Sequence, residues 1–174
     1  MIVTVGGQAA SGKTTLAVAL ARRLGFKHIS AGEVMRDLAL ERGMSIVEFS
    51  AYAETHPEVD RLIDERQRML AVGDCVVDGR LSRYFLNPDI SIWLVASADV
   101  RARRLIGRGE RYSSFEDARR DLDARDASER RRYMEFYSID LADLSVYDLV
   151  INTGRFDVDQ MISMSLAAVD ILKR

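Results

Sequence analysis

Cysteine is almost missing from this chain. Cys75 stands alone, so no internal disulfide can form, and its place in the apolar run Cys75-Val76-Val77 reads as a small core residue in a reducing compartment. Histidine is nearly as scarce. His28 and His56 pair with no cysteine or nearby carboxylate at metal-ligand spacing, so nothing points to zinc, to a Ser/His/Asp triad or to a general-base dyad. No apolar stretch approaches the roughly 18 residues that span a bilayer. The first residues read as a core strand, not as a charged-then-apolar leader, and a cytoplasmic protein without a membrane partner is the expectation. Basic excess is missing too: 25 Lys and Arg face 27 Asp and Glu. A net charge of -2 gives no general attraction to nucleic acid. Repeats, low-complexity tracts and flexible linkers are also absent.

What is present fits one globular domain: 174 residues, 48% apolar and 30% charged. The charge is unevenly spread. Residues 101–132 hold eleven Arg and seven Asp or Glu, a local +4 in a chain that is otherwise -6. Such an island suits a small polyanion, although a solvated helix with paired charges would look the same.

The strongest motif is Gly7-Gln8-Ala9-Ala10-Ser11-Gly12-Lys13-Thr14-Thr15. It follows the apolar run Ile2–Val5 and precedes Leu16–Ala21, giving strand, loop and helix. A loop of small residues lets consecutive N–H groups converge on phosphate while the new helix adds its positive end. Lys13 can reach the outer phosphates, and the Thr14 hydroxyl can take a place on Mg²⁺.

Further along, helices are predicted over about 13–24, 31–43, 45–54, 57–72, 114–138 and 157–173, and strands over 26–30, 75–78, 90–95 and 147–151. Capping boxes are expected at Ser30–Glu33, Ser45–Glu48 and Thr55–Glu58. Residues 32–72 thus form a helical insertion between two strands. Strands that are apolar on consecutive positions and alternate with helices imply a parallel sheet covered on both faces, an α/β fold.

Phosphate chemistry directs attention to arginines placed in a cleft. On the 114–138 helix, Phe115, Ala118 and Leu122 form an inward stripe that continues as Arg125, Glu129, Arg132 and Phe136. An exposed ladder is the alternative; beside a phosphate loop, a clamp for phosphate and sugar is the better reading. Arg101, Arg104 and Arg108 share one helical face before a polar segment, as in a short lid. Asp78-Gly79-Arg80 ends a buried strand, where a carboxylate can orient Mg²⁺ and Arg80 emerges at the ligand-binding edge of the sheet. Arg36 lies one turn into the helix opened by Ser30.

Together these stretches resemble the nucleoside monophosphate kinases, and within them the archaeal-type cytidylate kinases. The resemblance rests on Gly7 to Thr15, Ser30-Ala31-Gly32-Glu33 with Arg36, Gly43-Met44-Ser45 leading to Asp60 and Asp64, Asp78-Gly79-Arg80, and Arg101-x-x-Arg104-x-x-x-Arg108. The more specific parts are Arg125-x-x-Ser128-Glu129-x-x-Arg132-Tyr133 and Tyr137-x-Ile139-Asp140-x-x-Asp143-Leu144-Ser145-x-Tyr147-Asp148. It implies a P-loop fold with a five-stranded parallel sheet of order 2-3-1-4-5. One kinase domain would comprise a core at 1–31, 73–107 and 115–174, a monophosphate-binding segment at 32–72 and a lid at 108–114.

The same resemblance implies ATP on Gly7 to Thr15, its adenine near Thr153–Phe156, and Mg²⁺ held by Thr14 and Asp78. It places CMP or dCMP on Ser30, Arg36, Arg80, Arg125, Glu129 and Arg132, with Asp60 and Asp64 as possible readers of the cytosine amino group. Catalysis would fall to Lys13, Arg104, Arg108, Arg125 and Arg132 in a monomer acting on small molecules. Kinases for UMP or AMP, and an ATPase switch without an acceptor, are the competing readings.

Overall fold

The computed structural model describes residues 1–107 and 112–172. Arg108 and most of the expected lid lie outside the described residues. The order is β1 (Ile2–Gly7), α1 (Lys13–Leu24), β2 (Lys27–Ser30), α2 (Ala31–Glu41), α3 (Ile46–Thr55), α4 (Glu58–Leu70), β3 (Cys75–Asp78) and α5 (Ser82–Phe85). Then come β4 (Ile90–Val95), α6 (Ala98–Gly107), α7 (Phe115–Tyr137), β5 (Leu149–Asn152) and α8 (Val158–Leu172).

The five strands form one parallel sheet of order β2-β3-β1-β4-β5. The central strand β1 leads straight into the glycine-rich loop, and its Val5 lies in register with Asp78 at the end of β3. Both faces of the sheet are covered, as continuous apolar strands require. On β3, Val76 joins Val3, Val5, Leu16 and Leu20 under α1 and α8, while Cys75 and Val77 face Ile29 and Leu86 on the other side. Cys75 is therefore buried and free, as its apolar run suggests.

Helices α2, α3 and α4 pack around a cluster of their own, with Val34, Leu38, Phe49, Val59 and Ile63. The insertion thereby has an apolar centre separate from that of the sheet.

Local structure departs from the sequence reading in four places. Ser45 and Glu48 do form a reciprocal capping box, but Ser30 makes no cap bond, because its hydroxyl turns to the Asp78 carboxylate. Thr55 makes none either; its hydroxyl donates back to Tyr52 O, and Pro57 stands at the start of α4. On α7 the buried aromatic that ends the inward stripe is Tyr133, packed against Leu81 and Ile139, rather than Phe136. The last strand begins at Leu149, with Tyr147 packed on Trp93 at 4.8 Å between ring centroids.

Candidate active site

The loop after β1 is wound by positive φ at Gly7, Ala10 and Gly12. Gly7 has no alternative, since a Cβ there would lie 2.7 Å from Leu94 O. Ala10 adopts a left-handed conformation despite its side chain, a local strain of the kind concentrated at ligand-binding turns. Lys13 Nζ donates to Gln8 O at 2.9 Å, folding its ammonium over the loop.

Thr14 Oγ1 donates to Asp78 Oδ2 at 2.5 Å, and His28 Nε2 stands 3.6 Å from Asp78 Oδ1. Burial alone would raise the Asp78 pKa. Contacts from His28, Thr14 and Ser30 outweigh it and hold the carboxyl below its usual range. His28, which the sequence offers only as a strand residue, is pushed up by the same contact with Asp78 against the effect of its burial. Asp78 Oδ1 is buried and accepts no hydrogen bond among the described residues. An ionised carboxylate beside a hydroxyl is a donor set that suits Mg²⁺. No group of three or more metal-ligating side chains occurs among the described residues, so such an ion would arrive largely on phosphate oxygens and water.

Beside this loop lies a cavity of about 710 Å³, lined from α2, α3, α4, α7 and the end of β3. Arg36, Arg80, Arg125, Glu129 and Arg132 all line it. Ser30 does not; it is buried beneath, turned to Asp78. Arg80 Nε lies 2.6 Å from Glu129 Oε2, and Arg132 Nε 3.1 Å from Asp60 Oδ2. Arg125 is more open, with Nε 2.8 Å from Asp121 Oδ2.

Asp60 and Asp64 share the α4 face with Gln67. The 1.5 Å rise of a helix puts Asp64 roughly 4.5 Å and Asp60 roughly 10 Å from Gln67 along its axis. Gln67 marks the sheet end of the cavity, since its amide donates to Asp78 O and accepts from the Ser82 hydroxyl. Both aspartates are under a tenth exposed; Asp60 Oδ2 faces Arg132 Nε, whereas Asp64 Oδ2 accepts no hydrogen bond among the described residues. Burial raises the Asp60 pKa against the pull of Arg132. In Asp64, burial and then the Asp60 charge raise it to about 8. The cavity thus offers cations near the phosphate loop and, about one turn along α4 from Gln67, a carboxyl that holds its proton at neutral pH.

Arg104 sits differently from a lid residue reaching across open space. Its guanidinium donates to Ala10 O, Ser11 O, Thr153 Oγ1 and Thr153 O at 2.6–3.3 Å, and Thr153 donates to Ser11 O. The phosphate loop and the loop after β5 are joined through it. Arg101 is buried and bound to Asp126, a pair that sequence reading did not join; their separation of 25 residues leaves no local signal.

A parallel sheet with a phosphate loop on its central strand and a cation-lined cleft against a helical insertion defines a P-loop nucleotide kinase fold. Shikimate kinase from Bacteroides thetaiotaomicron shares that fold, with a TM-score of 0.67 at 15% identity and 98% of each chain covered. An uncharacterized protein from Eubacterium ventriosum shares it with a TM-score of 0.73 at 20% identity. Residues 2–155 match the cytidylate kinase-like family, and the chain belongs to that family. The cytidylate kinase of Archaeoglobus fulgidus is 43% identical over 176 residues, covering 99% of this chain and 97% of that one. That of Methanocaldococcus jannaschii is 42% identical over the whole of both chains.

Proposed function

We propose that the chain transfers the γ-phosphoryl group of ATP to CMP and dCMP, giving ADP and the pyrimidine diphosphate. The observation that carries this reading is the cleft beside the phosphate loop, where arginines stand near the loop and a carboxyl pair stands deeper along α4. Cytidylate kinases more than 40% identical over nearly their whole length support it.

The acceptor phosphate is already anionic, so its oxygen attacks without a covalent enzyme intermediate. The protein must align the reactants, neutralise charge and exclude water. Lys13 and the loop N–H groups hold the donor phosphates. Thr14 and Asp78 would hold Mg²⁺, which when bound with the nucleotide neutralises charge on its phosphates. Arg36, Arg80, Arg125 and Arg132 receive the acceptor phosphate, and Glu129 the sugar. Arg104 orders the donor loop, and Arg108 supplies a further charge to the transferring phosphoryl group. The enzyme works as a cytoplasmic monomer on small molecules.

Cytosine presents an amino donor next to a ring-nitrogen acceptor, whereas uracil presents the reverse. Asp60, paired with Arg132, accepts from the amino group, and protonated Asp64 donates to the ring nitrogen. Ionisation of Asp64 removes that donor. In the unmodified enzyme the KM for CMP is therefore expected to rise above about pH 8, while Asp64→Asn, which always keeps a donor, flattens the rise.

Stability carries the same signature. Asp64 titrates near 8 when folded and near 4 when unfolded, so the folded state binds the extra proton between these values. Stability contributed by the protonated carboxyl is complete below about pH 4 and is lost as pH rises towards about 8. Asp64→Asn is expected to raise Tm above that of the unmodified protein at pH 8, with the difference closing on acidification. Parallel Tm profiles would remove the buried-proton assignment.

The reaction itself is tested by ADP release from Mg-ATP with CMP, dCMP, UMP, AMP, GMP or no acceptor. Stimulation by CMP and dCMP is expected. Release indifferent to every acceptor would overturn the transferase reading in favour of an ATPase.

A further inference from the structure

Asp126 lies on α7 between the cavity-lining Arg125 and Ser128, but its own carboxylate faces the phosphate loop. Oδ2 accepts from Gln8 Nε2 at 2.9 Å and from Arg101 Nη2 at 2.7 Å, and Oδ1 accepts from Arg101 Nη1 at 3.3 Å. Arg101 in turn donates to Ala9 O and Ala96 O, each at 3.3 Å. The Arg101 side chain is only 4% exposed. One carboxylate thus ties together the tip of the loop, the buried face of α6 and the helix that carries Glu129 and Arg132 into the cavity.

The backbone shows what this tie does. In a trans peptide, the carbonyl of one residue and the N–H of the next point in opposite directions. Arg101 draws Ala9 O towards α6, and Arg104 draws Ala10 O and Ser11 O the same way. The N–H groups of Ala10 and Gly12 are thereby turned to the opposite side of the loop, while that of Ser11 closes a turn on Gln8 O. The aim of the anion-binding backbone depends on where α6 and α7 stand. A shift of α7 on filling the cavity would reach the loop through Asp126 as a change of backbone direction.

We propose that Asp126 is a positioning residue that holds the phosphate loop in register with α7, so that filling the monophosphate cavity tightens nucleotide binding on the loop. The proposal rests on the acceptor reading of the cavity. Gln8 is the link to the loop and Arg101 the rigid post against which both are set. By reciprocity the donor nucleotide tightens CMP by the same factor.

The test is calorimetric binding of the non-hydrolysable β,γ-imido analogue of ATP, with and without saturating CMP. The unmodified protein is expected to bind the analogue at least about fivefold tighter with CMP present. Gln8→Met, which leaves the Arg101–Asp126 pair intact, is expected to remove that enhancement without lowering Tm appreciably. Asp126→Asn should remove it as well, with lower stability because Arg101 loses its buried counter-charge. The double substitution should remove no more than either alone. A merely structural role would lower Tm and leave the enhancement in place. Retention of the full enhancement in Gln8→Met, or its absence from the unmodified protein, overturns the coupling. Failure of the unmodified protein to bind CMP at all overturns the acceptor reading first, and this proposal with it.

Discussion

Replacing Lys13 with methionine is expected to lower kcat by about two to three orders of magnitude, the scale seen when one preorganised charge or donor is taken from a developing anion. The side chain starts the first helix after the loop and reaches back over it to Gln8 O. A hydrogen bond from an ammonium to a carbonyl contributes about 1.5–3 kcal/mol, and Lys13 is only partly buried, so the lower figure applies. Methionine has a similar length and no charge, so the packing is kept and Tm should fall only modestly while the protein stays folded. The loss should appear in turnover more than in the KM for CMP, because Lys13 lies on the loop and not among the residues lining the cavity. Steady-state kinetics with both substrates varied, together with thermal unfolding, separate these effects. Near-normal phosphoryl transfer in a folded Lys13→Met protein would refute the function assigned to the loop.

The loop was legible in the sequence because its chemistry is local: glycines, lysine and threonine at fixed spacing between an apolar run and a helix. The sheet was legible because buried parallel strands must be apolar at consecutive positions. Glu129 and Arg132 were found for a related reason, as charges that continue an inward apolar stripe. What escaped detection depended on partners distant in sequence. The Ser30 hydroxyl had a cap to make, but folding brings it to Asp78, and that competing acceptor wins. Arg101 and Arg104 read as one lid face with Arg108, because a helical period reports which residues share a side and not what that side meets. Here it meets the carbonyls of the phosphate loop and Asp126. Asp60 falls in the first turn of α4, where acidic residues ordinarily favour a helix N-terminus, and Asp64 follows one turn on, where an acidic residue ordinarily faces water. Only the packing of α4 under the cavity marks them as buried.

The pairing of Asp60 with Arg132 makes the acceptor side as testable as the donor side. Arg132→Ala is expected to lower kcat/KM for CMP by at least about 30-fold, the lower end of what truncating one member of a buried charge pair costs. Two effects add. The acceptor loses a cation, and Asp60, already pushed up by burial, loses the charge that most opposes that shift. Loss of Arg132 shifts Asp60 further towards its protonated form, which accepts less well from the cytosine amino group, so discrimination against UMP should narrow in the same variant. Arg132 is about 15% exposed and its partner about 10%, which leaves water to screen part of the stranded charge and should let the protein fold with a reduced Tm. Binding of ATP alone should change little, because the donor loop is held by Arg101, Arg104 and Asp126, whereas Arg132 pairs with Asp60 and Tyr133. Kinetics with CMP and UMP, set beside calorimetric ATP binding, divide the outcomes: loss confined to the acceptor supports the clamp, whereas equal weakening of both substrates would show that Arg132 acts only through the fold.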